Sequence, residues 1–178
     1  MRSMTTIIRP ATPADHEAIW EMFHAVIEPG DSFNFDPAMP REEALAFWCK
    51  PGTHVYVAER DGAVIGSYYV RPNQPALGAH VANAGYMVAL SARGLGVGRA
   101  MGEHSLVEAG RLGFRAMQFN FVISTNASAV RLWQQLGFAI IGTLPGAFRH
   151  STLGFVDVHV MFRSLNDANL DLSPGIMR

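Results

Sequence analysis

The 178-residue sequence contains one cysteine and one lysine, and it lacks any apolar run long enough to cross a membrane. The single cysteine, Cys49, excludes an internal disulfide and favours a reducing compartment, so we expect a cytoplasmic location. The N-terminus has no long apolar segment, which indicates neither secretion nor membrane insertion. The 14 basic and 15 acidic residues give a net charge of −1, so no basic surface predicts nucleic acid as a partner.

What the chain does have is the composition of a compact protein, with 49% hydrophobic and 16% charged residues. Its length predicts one domain spanning residues 1–178. Alternating strand and helix patterns predict an α/β fold. The polar C-terminal segment, residues 166–178, is predicted to be a surface tail. The predicted strands cover 6–10, 54–59, 64–70, 81–90, 117–123, 139–143 and 156–162, and the predicted helices cover 12–27, 41–49, 96–112 and 126–136.

The most informative segment joins the predicted strand 81–90 to the predicted helix 96–112. It contains three alternating glycines, Gly94, Gly96 and Gly98. Glycine lets the main chain approach a ligand closely, because no Cβ stands in the way. The unpaired N–H groups at the start of the helix then form a site for a phosphate group. The segment therefore predicts a phosphate-bearing cofactor held by backbone amides.

Two common phosphate-binding motifs are excluded by spacing. A P-loop requires a lysine after its last glycine, and Lys50 is the only lysine in the chain. A dinucleotide fingerprint requires a third Gly or Ala, but Arg99 or Met101 occupies that position in the two alignments that the glycines allow.

Two motifs instead resemble one family. The run Arg-x-x-Gly-x-Gly, from Arg93 to Gly98, resembles the pyrophosphate loop of the GNAT superfamily of acetyl-coenzyme A dependent N-acetyltransferases. The segment from Asn126 to Phe138 resembles the superfamily's other signature, Asn-x-x-Ala-x-x-Leu-Tyr-x-x-Leu-Gly-Phe. The residues alone also describe a helix with an Asn N-cap and a closing Gly137. Both motifs lie on the predicted elements, and by resemblance residues 5–165 are identified as a GNAT member.

The resemblance implies a GNAT fold, with a mixed central sheet of about seven strands, splayed at the cofactor site, and about four flanking helices. It implies acetyl-CoA as cofactor, coenzyme A as product, direct transfer to a small amine, and a homodimer. By alignment, the implied cofactor contacts are Met87, Val88, Ala89, Arg93, Gly94, Leu95, Gly96, Val97, Gly98, Arg99, Asn126 and Trp133.

Acetyl transfer needs two further groups. The negative oxygen that develops in the reaction needs an N–H donor, which is worth about 3 kcal/mol in a dry site. The resemblance implies the amide of Val88 or its neighbour Met87. Many family members protonate the leaving thiolate with a tyrosine, but Trp133 stands here, and an indole cannot act as an acid. Two routes remain, because the thiolate can leave unprotonated if it is hydrogen bonded, or water can supply its proton. Asn126 is our candidate for that hydrogen bond, beside its role as N-cap.

The acceptor site is less clearly marked. Asn83 and Asn120 interrupt strands, where a buried amide is costly unless it is paired. The sequence is similar to the N-acetyltransferases of proline analogues such as azetidine-2-carboxylate, which implies that both amides hold a substrate carboxylate. The alternative is that they satisfy backbone groups at a bulge.

Loop residues before the second helix complete the predicted acceptor site. Glu28 and Asp31 are candidates for a base or for binding a cation, and Phe33 and Phe35 for lining the pocket. No spacing suggests a metal site. Acid-rich surroundings would instead favour a protein N-terminus or an amine antibiotic as acceptor. A second alternative, based on the missing tyrosine, is a non-catalytic acyl-CoA binding module.

Overall fold

The computed structural model describes residues 5–165, and the predicted tail at 166–178 lies outside that range. Within 5–165, seven strands and four α-helices follow one another, with a 3₁₀ turn at Pro13–Asp15 leading into the first helix. They are β1 (Ile7–Pro10), α1 (His16–Ile27), α2 (Arg41–Trp48), β2 (His54–Arg60), β3 (Ala63–Pro72), β4 (Val81–Val88), α3 (Val97–Arg111), β5 (Ala116–Ile123), α4 (Ala127–Gln135), β6 (Ala139–His150) and β7 (Gly154–Ser164).

The strands form one open, mixed sheet in the order β1-β2-β3-β4-β5-β7-β6. Only β4 and β5 run parallel, and helix α3 connects them. The hairpin between β2 and β3 turns at Asp61 and Gly62, which both have positive φ, as a two-residue turn of this kind requires. The predicted α/β fold with a mixed seven-stranded sheet and four helices is confirmed.

Helices cover both faces of the sheet. On one face α1 and α2 bury residues such as Phe23 and Trp48, while on the other α3 and α4 bury Met101 and Trp133. Strand residues alternate between the two cores because successive side chains of a strand point to opposite faces. No helix in residues 5–165 has the length and apolarity needed to span a membrane.

The sheet opens in its middle, between β4 and β5. These two strands pair only at Val81 with Ala116 and at Ala82 with Met117. Beyond those pairs β5 stays with β7, where its register shifts between Phe119 and Val122. On the side away from β3, the rest of β4 therefore faces an opening rather than a neighbouring strand.

The predicted ends of β4 and β6 are wrong in ways that affect the site. Strand β4 ends at Val88 rather than at residue 90, because Leu90–Ala92 forms a 3₁₀ turn into the glycine loop. Strand β6 continues to His150 rather than ending at 143. It passes through Pro145 because β6 is an edge strand with an irregular register between Leu144 and Phe148, where a missing N–H breaks no ladder bond.

Candidate active site

The glycine loop places the start of α3 beside the opening of the sheet. Gly94 and Gly96 have φ of 78° and 79°, which L side chains rarely adopt, and Gly96 is the N-cap of α3. The first bond of the helix runs from the Ala100 N–H to the Gly96 carbonyl, at 3.0 Å. The N–H groups of the three intervening residues are thus left without a partner in the helix and suit an anion.

A cavity of about 600 Å³ lies in front of this loop. Nine of the residues predicted for cofactor contacts line it: Val88, Arg93, Gly94, Gly96, Val97, Gly98, Arg99, Asn126 and Trp133. A Cβ added at Gly94 or Gly96 would meet nothing within 4 Å, so the space before the loop is open to a ligand. Donor amides, arginines and open space together fit a pyrophosphate-bearing cofactor such as acetyl-CoA.

Strand β4 aims one backbone amide into this space. The Ala89 N–H donates to the Ile65 carbonyl of β3 at 2.9 Å, and residues two apart in a strand point the same way. The Met87 N–H therefore also faces β3, whereas the Val88 N–H faces the opening between β4 and β5. Of the two amides proposed for the oxyanion, only that of Val88 points toward the cavity.

Three predicted cofactor contacts lie apart from this cavity. The Met87 side chain is 2% exposed and packs against the α1 and α2 face of the sheet. The Ala89 N–H donates to the Ile65 carbonyl, and the Leu95 side chain is exposed. For these three positions the structure brings no side chain to the cavity wall.

Asn126 caps α4 at the junction of the site. Its Oδ1 accepts from the Ala129 N–H at 3.3 Å and from the Ser128 hydroxyl at 3.1 Å. Its Nδ2 donates to no described residue and is free to reach a ligand. Trp133, two helical turns further along α4, packs on Tyr86 with ring centroids 4.6 Å apart.

A second cavity, of about 310 Å³, extends from this junction between the diverging strands. We name it the acceptor cavity, and the cavity in front of the glycine loop the cofactor cavity. The two cavities share Ser32, Tyr86, Asn126, Ala129 and Trp133. The second cavity is lined by the predicted acceptor residues Phe33, Phe35, Asn83 and Asn120, and also by Phe47, Tyr69 and Arg71. A small acceptor there would meet the cofactor where the cavities join.

The two strand asparagines reach this acceptor cavity with both amide ends already paired. The Asn83 Nδ2 donates to the Gln118 carbonyl at 3.0 Å, and its Oδ1 accepts from the Tyr69 hydroxyl at 3.3 Å. The Asn120 Nδ2 donates to Asn73 at 2.6 Å, and its Oδ1 accepts from the Gln118 side chain at 2.9 Å. Asn83 thus satisfies a backbone carbonyl next to the bulge of β5, where strand pairing with β4 has been lost.

The predicted acidic residues lie elsewhere. Glu28 follows the last turn of α1, its N–H bonded to the His24 carbonyl at 3.0 Å, and its exposed side chain lines neither cavity. Asp31 lines the cofactor cavity and not the acceptor cavity. Of the described residues that line the acceptor cavity, none is acidic.

Tyrosines near the junction are held protonated. Burial raises the pKa of Tyr86, whose hydroxyl is directed into the core, 2.7 Å from Ser105. Burial also raises the pKa of Tyr69. Tyr86 therefore does not replace the tyrosine that is missing at position 133 as a proton donor to a thiolate.

Sequence reasoning left several cavity-lining residues unassigned, among them Phe47 and Arg71. The signal for Arg71 was present, since a charged residue ends the otherwise apolar strand 64–70. Phe47 is brought to the site by the packing of α2, so no local pattern indicates it.

Comparisons with known proteins agree with this geometry. The model of the acetyltransferase (GNAT) family matches residues 17–138. The N-acetyltransferase aca1 of Schizosaccharomyces pombe is 33% identical, over 80% of this chain and 78% of that protein. A GCN5-related N-acetyltransferase from Kribbella flavida superimposes with a TM-score of 0.86 and 47% identity, over 89% of this chain and 97% of that one.

A further solved structure contains the cofactor. The structure of yncA from Salmonella typhimurium with its cofactor acetyl-CoA superimposes with a TM-score of 0.81 and 25% identity, over 93% of this chain and 96% of that one. The family match spans most of the described fold and includes the glycine loop and the Asn126 helix. The chain therefore belongs to the acetyltransferase (GNAT) family and is an acetyl-CoA-dependent N-acetyltransferase.

Proposed function

We propose that the protein transfers acetyl directly to the amine of a small substrate, with amino acids, including proline analogues, as the preferred acceptors. The observation that carries this proposal is the junction of the two cavities beside the Val88 amide and Asn126. At about 310 Å³, the acceptor cavity lies at the lower end of the usual range for small-molecule sites, so it suits a small acceptor.

Residues of the glycine loop hold the cofactor in this proposal. The free N–H groups at the start of α3 bind the pyrophosphate, and Arg93 and Arg99 add positive charge at the mouth of the cavity. When bound, acetyl-CoA supplies an activated thioester acetyl group. Asn126 Nδ2 donates to the thiol sulfur, and Trp133 supplies an apolar wall and an N–H donor that has no acid function.

The Val88 amide provides the main electrostatic stabilisation. A backbone N–H fixed by the β3–β4 pairing costs no reorganisation when negative charge develops on the carbonyl oxygen. We infer a contribution of about 3 kcal/mol to the barrier, as for other preorganised oxyanion donors. Substituting the Val88 side chain does not test this role, because the proposed donor is the backbone N–H.

The lining of the acceptor cavity favours an anionic or neutral acceptor over a polycation. No acidic side chain is found among the described lining residues, while amides, aromatic rings and one arginine are. A polyamine or an aminoglycoside would find no countercharge there. This is why a protein N-terminus or an amine antibiotic is the second candidate and not the first.

Thiol release from acetyl-CoA across a panel of amines tests the proposal. The panel comprises azetidine-2-carboxylate, cis-4-hydroxyproline, common amino acids, polyamines, aminoglycosides and short peptides. We expect turnover with the amino and imino acids, reduced in Asn83→Ala, whose side chain lines the cavity, and unchanged in Gln134→Ala, which is exposed on α4 and lines neither cavity. Turnover confined to polycations or peptides would contradict it, and cofactor binding without thiol release would indicate an acyl-CoA binding module.

A homodimer and a cytoplasmic location remain proposals. Exposed apolar side chains on the edge strand β6 and its turn into β7, among them Ile141, Leu144, Leu153 and Phe155, support self-association. The free thiol of Cys49 supports a reducing compartment. Sedimentation equilibrium checks the first proposal, since a monomer at micromolar concentration would contradict it.

A further inference from the structure

Arg71 is the one charged side chain among the described residues that line the acceptor cavity. It stands near the end of β3, and its backbone pairs in register with Asn83 of β4. The position lies on the acceptor side of the opening in the sheet, away from the glycine loop that binds the cofactor phosphates.

The guanidinium is held in place by neutral groups. Its Nη1 donates to the Phe47 carbonyl at 3.1 Å and its Nη2 to the Tyr69 hydroxyl at 3.3 Å. The central carbon lies 4.2 Å from the centroid of the Tyr69 ring and 4.5 Å from that of Phe47. Ring faces at this distance attract the cation and fix its plane, but they leave its charge in place.

No described carboxylate neutralises this charge. The ion pairs within residues 5–165 involve Arg9, Arg41, Arg99 and Arg111, and not Arg71. Two of the five N–H groups of a guanidinium are used by Phe47 and Tyr69, so three are open to a ligand. A half-buried, immobilised cation without a partner anion is a site for an anion, and a planar carboxylate matches its fork.

The Asn83 amide is part of the hydrogen-bond chain that holds this arginine. The Tyr69 hydroxyl accepts from Arg71 and donates to Asn83, which in turn donates to the Gln118 carbonyl of β5. This chain of hydrogen bonds ties β3, β4 and β5 together across the opening of the sheet. It orients the guanidinium, and it occupies the Oδ1 atom and one of the two side-chain N–H groups of Asn83.

We propose that Arg71 binds the carboxylate of the acceptor and so selects amines that carry an acid group over the corresponding neutral and cationic amines. The inference rests on the proposed function and deepens it, because it names the chemical class of the acceptor. Arg71 is thus a substrate-binding residue, and Tyr69 and Asn83 position it.

The test compares an acid acceptor with its carboxamide, which keeps the same amine and ring. Azetidine-2-carboxylate and azetidine-2-carboxamide form the pair, assayed with wild type, Arg71→Gln, Arg71→Lys and the control Arg115→Gln. Arg115 is an exposed arginine that lines neither cavity, so its variant makes the same charge change elsewhere. Thermal unfolding of each variant checks that the loss of the Phe47 contact has not unfolded the protein.

We expect Arg71→Gln to lower kcat/KM for the acid by about 10- to 100-fold and to leave the carboxamide nearly unchanged, which is the range expected for charge-assisted hydrogen bonds. Arg71→Lys keeps the positive charge but cannot form two parallel hydrogen bonds to a carboxylate, so we expect a smaller decrease in kcat/KM for the acid. Arg115→Gln changes neither substrate. Equal loss for acid and carboxamide in Arg71→Gln would overturn the proposal.

Calorimetric titration of the same two compounds into the protein without acetyl-CoA gives a readout that does not depend on turnover. Acid-selective binding that disappears in Arg71→Gln supports the assignment even when no acceptor is acetylated, in which case only the proposed function fails. If the wild type binds and acetylates the acid and the carboxamide equally well, the Arg71 assignment is overturned, while the proposed acetyl transfer to small amines stands.

Discussion

At the scale of single residues, position 133 changes the chemistry that is open to the site. An indole at this position donates a hydrogen bond but gives up no proton, and it buries its ring against Tyr86 and Phe119 instead. Tyr86 cannot take over, since its hydroxyl is bonded to Ser105 in the core. We therefore propose that the thiolate leaves with a hydrogen bond from Asn126 Nδ2, with water as the alternative source of its proton.

Asn126 has two separable roles, which two substitutions distinguish. Asn126→Ala removes the cap acceptor of α4 and the Nδ2 donor, so we expect a loss of about 1 kcal/mol in the free energy of unfolding together with a lower kcat. Asn126→Asp keeps the cap acceptor and a favourable charge at the helix start, so it retains stability but loses the donor and the activity. Urea unfolding and thiol-release kinetics measure the two effects. Full activity of the aspartate variant would refute the thiol role of Asn126.

At the scale of elements, the end of β4 and the start of α3 together form the backbone part of the site. The strand presents the Val88 amide, the 3₁₀ turn Leu90–Ala92 ends the pairing with β3, and Gly96 begins the helix in a left-handed conformation. These three features follow one another within a few residues, so the proposed oxyanion donor and the proposed phosphate site keep a constant separation. Local backbone geometry, rather than side-chain chemistry, determines this part of the site.

Glycine substitutions at the N-cap and near the C-terminal end of α3 test this interpretation with an internal control. In Gly96→Ala the φ of 79° places a Cβ in a strained region, so we expect a loss of about 1 kcal/mol in stability and weaker acetyl-CoA binding. Gly110→Ala, near the other end of the same helix with nothing within 4 Å of the added Cβ, should raise stability by about 0.5 kcal/mol and leave cofactor binding unchanged. Denaturant titration and calorimetry measure both. Wild-type cofactor affinity in Gly96→Ala would show that the loop conformation is not needed.

At the scale of the whole molecule, the edge of the sheet is tied to the first helix by an ion-pair network. Arg9 of β1 donates to both carboxylate oxygens of Asp15 at 2.9 Å and also to Glu59 of β2. The Thr12 N–H donates to Asp15 as well, at 2.7 Å. The hydrogen bonds from Arg9 are the largest effect that lowers the pKa of Asp15 below its ordinary range. The network therefore stabilises the folded state only while Asp15 is ionised.

Because the pKa of Asp15 is lowered, the free energy of unfolding should decrease at acid pH. Because the folded pKa lies below the unfolded value of about 3.9, the stabilisation is complete above that value and is lost as the pH falls through the folded pKa. We expect Asp15→Asn to lower the free energy of unfolding at pH 7 by about 2 kcal/mol and to flatten its decline toward low pH. Glu17→Gln, which breaks an exposed pair with Arg41, should change it by less than about 1 kcal/mol. Urea unfolding at pH 7 and pH 3.5 compares them, and parallel pH dependence of Asp15→Asn and wild type would contradict the assignment.

Much of the fold is predictable because its signals are local. The four helices and the Asn126 cap each depend on residues close in the chain, and each is confirmed. The length of β6 was underestimated because Pro145 argues against a strand, and only the position of β6 at the sheet edge removes that objection.

By itself, the sequence determined the α/β class, the family and the glycine loop, since these reside in short motifs whose backbone requirements are intrinsic to glycine and asparagine. Only the tertiary structure decided which amide of β4 is free, because that depends on the register with β3 and on the divergence of β5. It also decided that Asn83 and Asn120 are already paired, through partners 35 and 47 residues away in the chain. The acceptor cavity and the unneutralised Arg71 within it arise from the same long-range packing, because charge balance is a property of neighbours in space and not of neighbours in sequence.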